Sequence, residues 1–150
     1  MITIKNTQRK IKIDTKKLIK DVQVILSALD YSDFDLGIWL TTNKTIRQYN
    51  KTYRKKDKAT DILSFSYHSE LQPGDRIQAL DNEDKNLGDL IISLEYVAAD
   101  AKKLNTTFEK RMQRLLVHGI CHLLGYDHEV DEDYKIMYKL EMQLLKKIQN

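Results

Sequence analysis

Apolar residues recur along the chain with two different periods, and each period predicts one type of secondary structure. Four short segments are predicted to be strands, and in the first two of them apolar and polar residues alternate, a pattern that is typical of strands with one buried face. The clearest of these segments contains Phe34, Leu36, Ile38 and Leu40. The predicted strands are residues 2–13 with a break around Asn6–Thr7, then residues 34–41, 62–67 and 87–93.

Apolar residues spaced three and four apart predict five helices. The first can be capped by Asp14 or Thr15, and the fourth opens with Thr106 and Glu109 at capping-box spacing. The predicted helices are residues 14–29, 43–53, 94–104, 106–124 and a last one from residue 131 onward. Strands dominate the first two-thirds of the chain and helices the last third. We therefore expect an α+β fold, a small mixed sheet of about four strands covered by about five helices.

The length and composition fit one globular domain, which we place at residues 1–150. With 41% hydrophobic residues, 31% charged residues, 5 glycines and 1 proline, the chain is neither collagen-like nor low in complexity. Its single cysteine excludes an internal disulfide, and no apolar run approaches the ~18 residues of a membrane span. We expect a cytoplasmic protein without a membrane partner. The net charge of +3 permits an anionic partner without demonstrating one.

Candidate chemistry concentrates in residues 118–128, which contain three of the 4 histidines. His118 and His122 are four residues apart, so they project from one face of a helix. Gly125 suits the left-handed conformation that ends a helix, and the chain can then turn back and bring His128 to the same point. The spacing predicts that the three imidazoles bind one metal ion.

Three protein ligands leave a fourth position for water, which is the arrangement of catalytic rather than structural zinc. Such an ion lowers the pKa of its bound water to about 7. We therefore expect one Zn²⁺ per chain as the cofactor, although imidazole ligands suit Ni²⁺ as well.

The same zincin-like spacing occurs in the three-histidine zinc peptidases, whose motif is His-Glu-x-x-His-x-x-Gly-x-x-His. In those enzymes the glutamate after the first histidine is the general base. This chain has Gly119 at that position. The ligands are present and the peptidase base is missing, which argues against peptide hydrolysis by the usual route.

Residues 118–128 resemble the signature of the YbeY family, bacterial metal-dependent endoribonucleases that act in ribosomal RNA maturation. Residues 53–65, a basic turn followed by a strand, are similar to a second block of that family, and residues 87–93 to a third. Together with the matching order of elements, the resemblance covers essentially the whole chain.

The resemblance implies an α+β fold with His118, His122 and His128 as zinc ligands and Arg54 as the key basic residue of the active-site cleft. It also implies single-strand-directed cleavage of RNA in 16S ribosomal RNA 3′-end maturation and in ribosome quality control. The implied partners are ribosomal RNA and the small ribosomal subunit, with other ribosome-assembly factors as further candidates.

Arg54 and the basic residues after it have two possible interpretations. The planar guanidinium of Arg54 can hold two oxygens of a phosphodiester at once, which suits a group that stabilises phosphate charge. Lys55, Lys56 and Lys58 are candidates for RNA-phosphate contacts, although a solvated basic turn has the same composition.

Three other side chains, within or outside the motif, are less clearly functional. Asp127 has two equally supported interpretations. It could act at the metal site, by orienting a ligand imidazole or by serving as a base toward a water, or it could support the tight turn before His128. Cys121 is expected to be a buried thiol. His68 receives no role.

Two other classes of function are compatible with these residues. A zinc hydrolase of peptides or amides needs a base other than Gly119, with Asp127 the obvious substitute. A non-catalytic ribosome-assembly factor would use its metal only to pin the last two helices together. Structural zinc sites, however, normally have four protein ligands.

Overall fold

The computed structural model describes residues 1–149, which form four strands and five helices. In chain order these are β1 (Ile2–Asn6), α1 (Thr15–Ala28), β2 (Asp35–Thr41), α2 (Asn43–Arg54), β3 (Ile62–Ser66), β4 (Asn86–Ser93), α3 (Leu94–Lys103), α4 (Phe108–Leu123) and α5 (Asp131–Ile148). The predicted α+β fold is confirmed. Among residues 1–149, no helix combines the length and the apolar character needed to span a membrane.

The four strands form one mixed sheet with the order β1-β2-β4-β3. β1, β2 and β4 run parallel, and β3 runs antiparallel to β4. β3 is therefore an edge strand, and among the described residues no other strand pairs with its outer side.

The two faces of the sheet are covered differently. α1 and α4 pack on one face, and α5 packs against these two helices; together they build the main core, in which Ile38 and Ile120 are almost fully buried. α2 lies on the opposite face, where Ile46 packs with Leu63 and Ile91 in a smaller cluster. α4 also packs along β3, so the end of α4 lies at the edge of the sheet.

The first predicted strand is too long. β1 ends at Asn6, and residues 8–13 leave the sheet although their apolar alternation continues. The buried side chain of Gln8 explains the difference. Its Nε2 donates to the carbonyl oxygen of Ile11 at 2.9 Å, and its Oε1 accepts the N–H of Ile11 at 2.9 Å. Because these backbone groups are satisfied by a side chain, they need no partner strand.

The two predicted helix caps have different outcomes. Asp14 accepts a backbone N–H of the first turn at 3.1 Å and caps α1, as expected. α4 begins one residue later than the capping-box spacing predicts, because Thr107 and not Thr106 accepts the cap hydrogen bond, at 3.1 Å. Glu109 still lies in the first turn of α4, where the helix dipole favours a negative charge.

Glu95 connects α3 to the beginning of α2. Its Oε1 accepts the backbone N–H of Asn43 at 2.5 Å, and its Oε2 pairs with Lys10 Nζ at 3.0 Å. The hydrogen bond from Asn43, and after it the one from Lys10, holds the pKa of the Glu95 carboxyl below its ordinary value.

We expect Glu95→Gln to lower the free energy of unfolding by about 1 kcal/mol at neutral pH, because an amide accepts these hydrogen bonds less strongly. A carboxyl whose pKa is lowered in the folded state stabilises the protein above its unfolded pKa, and this contribution is lost as the pH falls through the folded value. The difference between wild type and variant should therefore begin to shrink as the pH falls below about 4.

Denaturant titrations at several pH values measure this difference. Glu83→Gln, at an exposed position, is the control and should leave the free energy of unfolding unchanged at every pH. A Glu95→Gln deficit that does not shrink as the pH falls would contradict the assignment, because the contribution of a carboxylate is lost as it becomes protonated.

Candidate metal centre and cleft

Two serines of the edge strand hold the second half of α4. Ser66 Oγ donates to the carbonyl oxygen of Leu123 at 2.8 Å, and Ser64 Oγ donates to that of Gly119 at 3.4 Å. Both hydroxyls come from the side of β3 that faces the helix. They fix the position of α4 along the strand.

Gly119 lies where α4 comes closest to the sheet. A Cβ at this residue would lie 2.7 Å from Ile62 Cδ1 and 2.9 Å from Leu90 Cδ2, closer than side-chain carbons pack. The position that carries the general base in the zinc peptidases therefore faces the core in this protein. The preceding residue, His118, is only half-buried and points to the sheet edge.

α4 ends at a glycine in the left-handed region. Gly125 has φ +92°, and its N–H donates to the carbonyl oxygen of His122 at 3.1 Å, while the next N–H reaches back to Cys121 at 3.2 Å. This is a Schellman motif. A Cβ at Gly125 would lie 2.4 Å from the carbonyl oxygen of Leu71, so the space also requires glycine. The predicted role of Gly125 is confirmed, and the reversed chain brings His128 beside the helix.

The three histidines converge on one point. One ring nitrogen from each of His118, His122 and His128 lies within 4.8 Å of the others. The Nε2 atoms of His118 and His122 are 3.0 Å apart. Two nitrogens bound to one tetrahedral zinc ion lie about 3.3 Å apart, given Zn–N bonds of about 2.0–2.1 Å. The donor set therefore fits a single metal ion, and His128, which is exposed, leaves one side of the cluster open to solvent.

His122 is held in its neutral form. Burial, and after it the neighbouring imidazoles of His118 and His128, lower the pKa of His122 to about 4. The ring is therefore neutral at pH 7, and a neutral imidazole is the form that binds a metal.

Glu141 on α5 is a site residue that the sequence patterns did not reveal. It is only 4% exposed, and its Oε2 lies 2.8 Å from Nδ1 of His118. A carboxylate in this position accepts the Nδ1–H, which fixes the ring and leaves Nε2 free for a metal. One feature of the sequence could have identified Glu141: it is a carboxylate within the apolar stripe of α5, four residues after Met137 and three before Leu144.

The histidines open into a cleft of ≈ 940 Å³ beside β3. Arg54, the last residue of α2, is exposed and lines the same cleft. The buried residue Asn50 fixes the turn that follows: its carbonyl oxygen accepts the N–H of Lys55, and its side-chain amide donates to the carbonyl oxygen of Lys58 at 2.9 Å. This turn holds the end of α2 in place beside the cleft.

Two arginines of α4 also line the cleft. Arg111 Nη2 pairs with Asp61 at 3.2 Å and with Asp100 at 3.5 Å. The guanidinium of Arg114 lies 5.6 Å from the ring centroid of Tyr138. The wall around the histidines therefore carries guanidinium groups from two helices, which suits an anionic ligand.

The residues of the predicted basic turn do not all face the cleft. Lys55, Lys56 and Lys58 are exposed and lie outside the set of residues that line the cleft. Lys58 instead lines a separate depression along α2, together with Lys44. Contacts of these lysines with RNA would therefore lie beyond the cleft.

Asp127, Cys121 and His68 lie in three different environments. Asp127 lines the cleft, and its Oδ1 accepts the backbone N–H of His128 at 2.7 Å, which supports the turn. Cys121 is completely buried, as expected, and burial raises the pKa of its thiol. Nε2 of His68 lies 2.7 Å from the carbonyl oxygen of Asp84, a contact that braces the long loop between β3 and β4.

Fold and cluster together define a class of protein: an α+β domain with a cleft whose three histidines could hold a metal ion. A family model described as Endoribonuclease YbeY matches residues 3–149. The chain therefore belongs to the YbeY family of endoribonucleases. Membership confirms the resemblance seen in the sequence and the predicted class of enzyme, a hydrolytic nuclease.

Relatives named Endoribonuclease YbeY match most of the chain. One from Sulfurihydrogenibium sp. is 45% identical over 136 residues, covering 89% of this chain and 84% of the relative. One from Homo sapiens is 33% identical over 144 residues, covering 96% and 86%. The solution structure of TM1509 from Thermotoga maritima matches with a TM-score of 0.64 and 24% identity, over 99% of this chain and 89% of that one. This last likeness supports the fold.

We expect Glu141→Gln to weaken metal binding about 10- to 100-fold, because an amide cannot hold the Nδ1–H of His118 as a carboxylate does. Competition between the metal-stripped protein and a chromophoric chelator for Zn²⁺ measures the affinity. Glu132→Gln, at an exposed position of the same helix, is the matched control. Equal affinities in wild type and E141Q would remove Glu141 from the site.

Gly119→Glu should lower the free energy of unfolding by more than about 2 kcal/mol, since the new carboxylate would be forced against apolar side chains. Gly119→Ala should cost less, because a better helix propensity of about 1 kcal/mol offsets part of the crowding. Denaturant titrations compare the variants. A G119E protein that is as stable as wild type and hydrolyses peptides would show instead that this position faces the cleft.

Proposed function

We propose that the chain is a metal-dependent endoribonuclease that acts on single-stranded RNA, with 16S ribosomal RNA as its natural substrate in 3′-end maturation and ribosome quality control. One observation carries the proposal: His118, His122, His128 and Arg54 line a single cleft that is open to solvent. Family membership supports the type of reaction. In this proposal residues 1–150 act as one catalytic domain.

The ligands that we propose are the three histidines, and the cofactor is one Zn²⁺ per chain. Neutral imidazoles suit Zn²⁺, and they accept Ni²⁺ as well. When bound, such an ion activates water at neutral pH and polarises a phosphoryl oxygen. Glu141 keeps His118 oriented for this purpose through the contact at 2.8 Å.

Arg54 is the proposed catalytic residue that binds the scissile phosphate. Its guanidinium can donate to two non-bridging phosphate oxygens at once, and negative charge grows on these oxygens as the nucleophile adds to phosphorus in a phosphorane-like transition state. The turn fixed by Asn50 holds the end of α2, so little reorganisation is needed when the substrate arrives. Arg114 also lines the cleft and could bind a neighbouring phosphate, whereas Arg111 is already paired with Asp61 and Asp100.

Asp127 is the candidate base. Its carboxylate lines the cleft next to His128 and could take the proton from an attacking water. Its hydrogen bond to the His128 backbone gives it a second role, in which it positions the third ligand.

We propose that ribosomal RNA and the small ribosomal subunit are the partners, in the cytoplasm, with other assembly factors as additional ones. Lys55, Lys56 and Lys58 would contact RNA phosphates outside the cleft, without reading sequence. The net charge of +3 is small, so we infer that the ribosomal context supplies much of the specificity.

The alternatives have less support. A peptide or amide hydrolase lacks a base at position 119, whose side chain would point into the core. A purely structural metal would be expected in a closed four-ligand site, whereas this cluster opens into a cleft.

Cleavage of a structured RNA that contains the 3′ end of 16S ribosomal RNA tests the proposal. His122→Ala should abolish cleavage, and Arg54→Ala should slow it by about 100-fold, because one positioned donor is lost from the transition state. Arg54→Lys should recover only part of the rate, since it restores the charge and not the bidentate fork. Arg9→Ala, at an exposed position, should cleave like wild type.

Chelation should stop cleavage, and added Zn²⁺ should restore it. Thermal unfolding of each variant separates a chemical defect from a folding defect. Full activity in folded H122A and R54A would refute the proposed site.

A further inference from the structure

A second cavity lies on the face of the sheet that α2 partly covers. It is a groove of ≈ 430 Å³, here called the aromatic groove, whose walls carry the rings of Trp39, Tyr49, Tyr53 and Phe65. Trp39, Tyr49 and Phe65 are partly buried and Tyr53 is exposed, so the groove is a concave, mostly apolar surface of the kind that binds ligands.

The four rings form a continuous series. The centroids of Trp39 and Tyr49 are 5.4 Å apart, those of Tyr49 and Tyr53 are 6.0 Å apart and stacked, and those of Tyr53 and Phe65 are 5.2 Å apart. Trp39 is fixed because its Nε1 donates to Thr7 Oγ1 at 2.9 Å. Tyr53 is 62% exposed. The series is therefore ordered at one end and accessible at the other.

The aromatic groove is continuous with the cleft of the histidines. Tyr53 and Phe65 line both cavities, and Arg54 directly follows Tyr53 in the chain. A polymer that is held at Arg54 and continues past Tyr53 therefore enters the groove.

Charges in the groove favour bases inside and phosphates outside. Gly37 and Asp89 line the groove, and a Cβ at Gly37 would lie 2.2 Å from Asp89 Oδ1, so the glycine makes room for the carboxylate. A carboxylate repels phosphate but accepts N–H groups from base edges, such as the amino group of cytosine. Lys5 also lines the groove, and its Nζ lies 4.6 Å from the centroid of the Trp39 ring, so the groove carries a positive charge that suits a phosphate.

We propose that the aromatic groove binds unpaired bases of the RNA strand beside the bond that is cleaved, an inference that rests on the proposed nuclease function. Aromatic rings hold single-stranded nucleic acid by stacking, with little dependence on sequence. Bases within a duplex are already stacked on one another and cannot enter, so the groove selects single strands. Continuity with an arginine-lined cleft favours RNA over a protein segment as the occupant.

Trp39 provides the first test, because it is the only tryptophan in the sequence and its fluorescence reports on the groove alone. The His122→Ala protein is used so that the RNA stays intact. An unstructured RNA of about eight nucleotides should quench the fluorescence, and a duplex of the same sequence should not. Equal quenching by both, or no quenching where fluorescence anisotropy of the RNA shows binding, would overturn the proposal.

Variants of Trp39 provide the second test. Trp39→Leu should raise the Kd for the single strand about tenfold, whereas Trp39→Phe keeps a stacking face and should stay within about threefold of wild type. Tyr134→Leu removes an exposed tyrosine of α5 outside both cavities and should leave the Kd unchanged. Thermal unfolding shows which variants are folded. A folded W39L protein that binds RNA as tightly as wild type but no longer binds small ribosomal subunits would assign the groove to a protein partner and overturn the proposal.

The two proposals can fail separately. Quenching by single-stranded RNA without cleavage by the zinc-loaded wild type would refute the nuclease function and leave the groove as an RNA site. Cleavage without selective quenching would refute the groove and leave the nuclease.

Discussion

The contact between α4 and the edge strand β3 is the constraint on which the geometry of the three-histidine cluster depends. Two of the histidines project from the side of α4 that faces the edge of the sheet. Two serine hydroxyls of β3 hydrogen-bond to α4 and fix the position of the helix along the strand. Gly119 allows the close approach, and Gly125 reverses the chain to bring the third histidine back. A side chain at either glycine would move ligands relative to one another, and catalytic sites lose much of their rate when groups move by about 1 Å.

The fold was predictable because most of its elements have clear periodicity. The alternation in β2 and the apolar stripes of α1 and α4 identify strand and helices without further information. Residues 8–13 show where local pattern fails: their alternation continues, but the amide of Gln8 satisfies the backbone of Ile11 and ends the strand. A periodicity count contains no information about which side chain will bind which backbone group.

The site was predictable where its residues are close in sequence and hidden where they are not. His118, His122 and His128 share one helix and one turn, so their spacing alone places them together. Glu141 and Asn50 act through tertiary contacts, and their positions resemble ordinary polar interruptions of a helix. The sequence also could not predict that Arg54 lines the cleft while Lys58 lines a separate depression, since this depends on how α2 crosses the sheet.

The bond between Glu141 and His118 has a consequence for the order in which the centre matures. All three imidazoles precede Glu141 in the chain, so a ribosome synthesises the complete ligand set before the carboxylate that orients one of them. A nascent chain that lacks the second half of α5 therefore has its histidines but not their buried brace. A metal ion bound by these histidines would therefore reach its full affinity only after the last helix has docked and Glu141 orients His118.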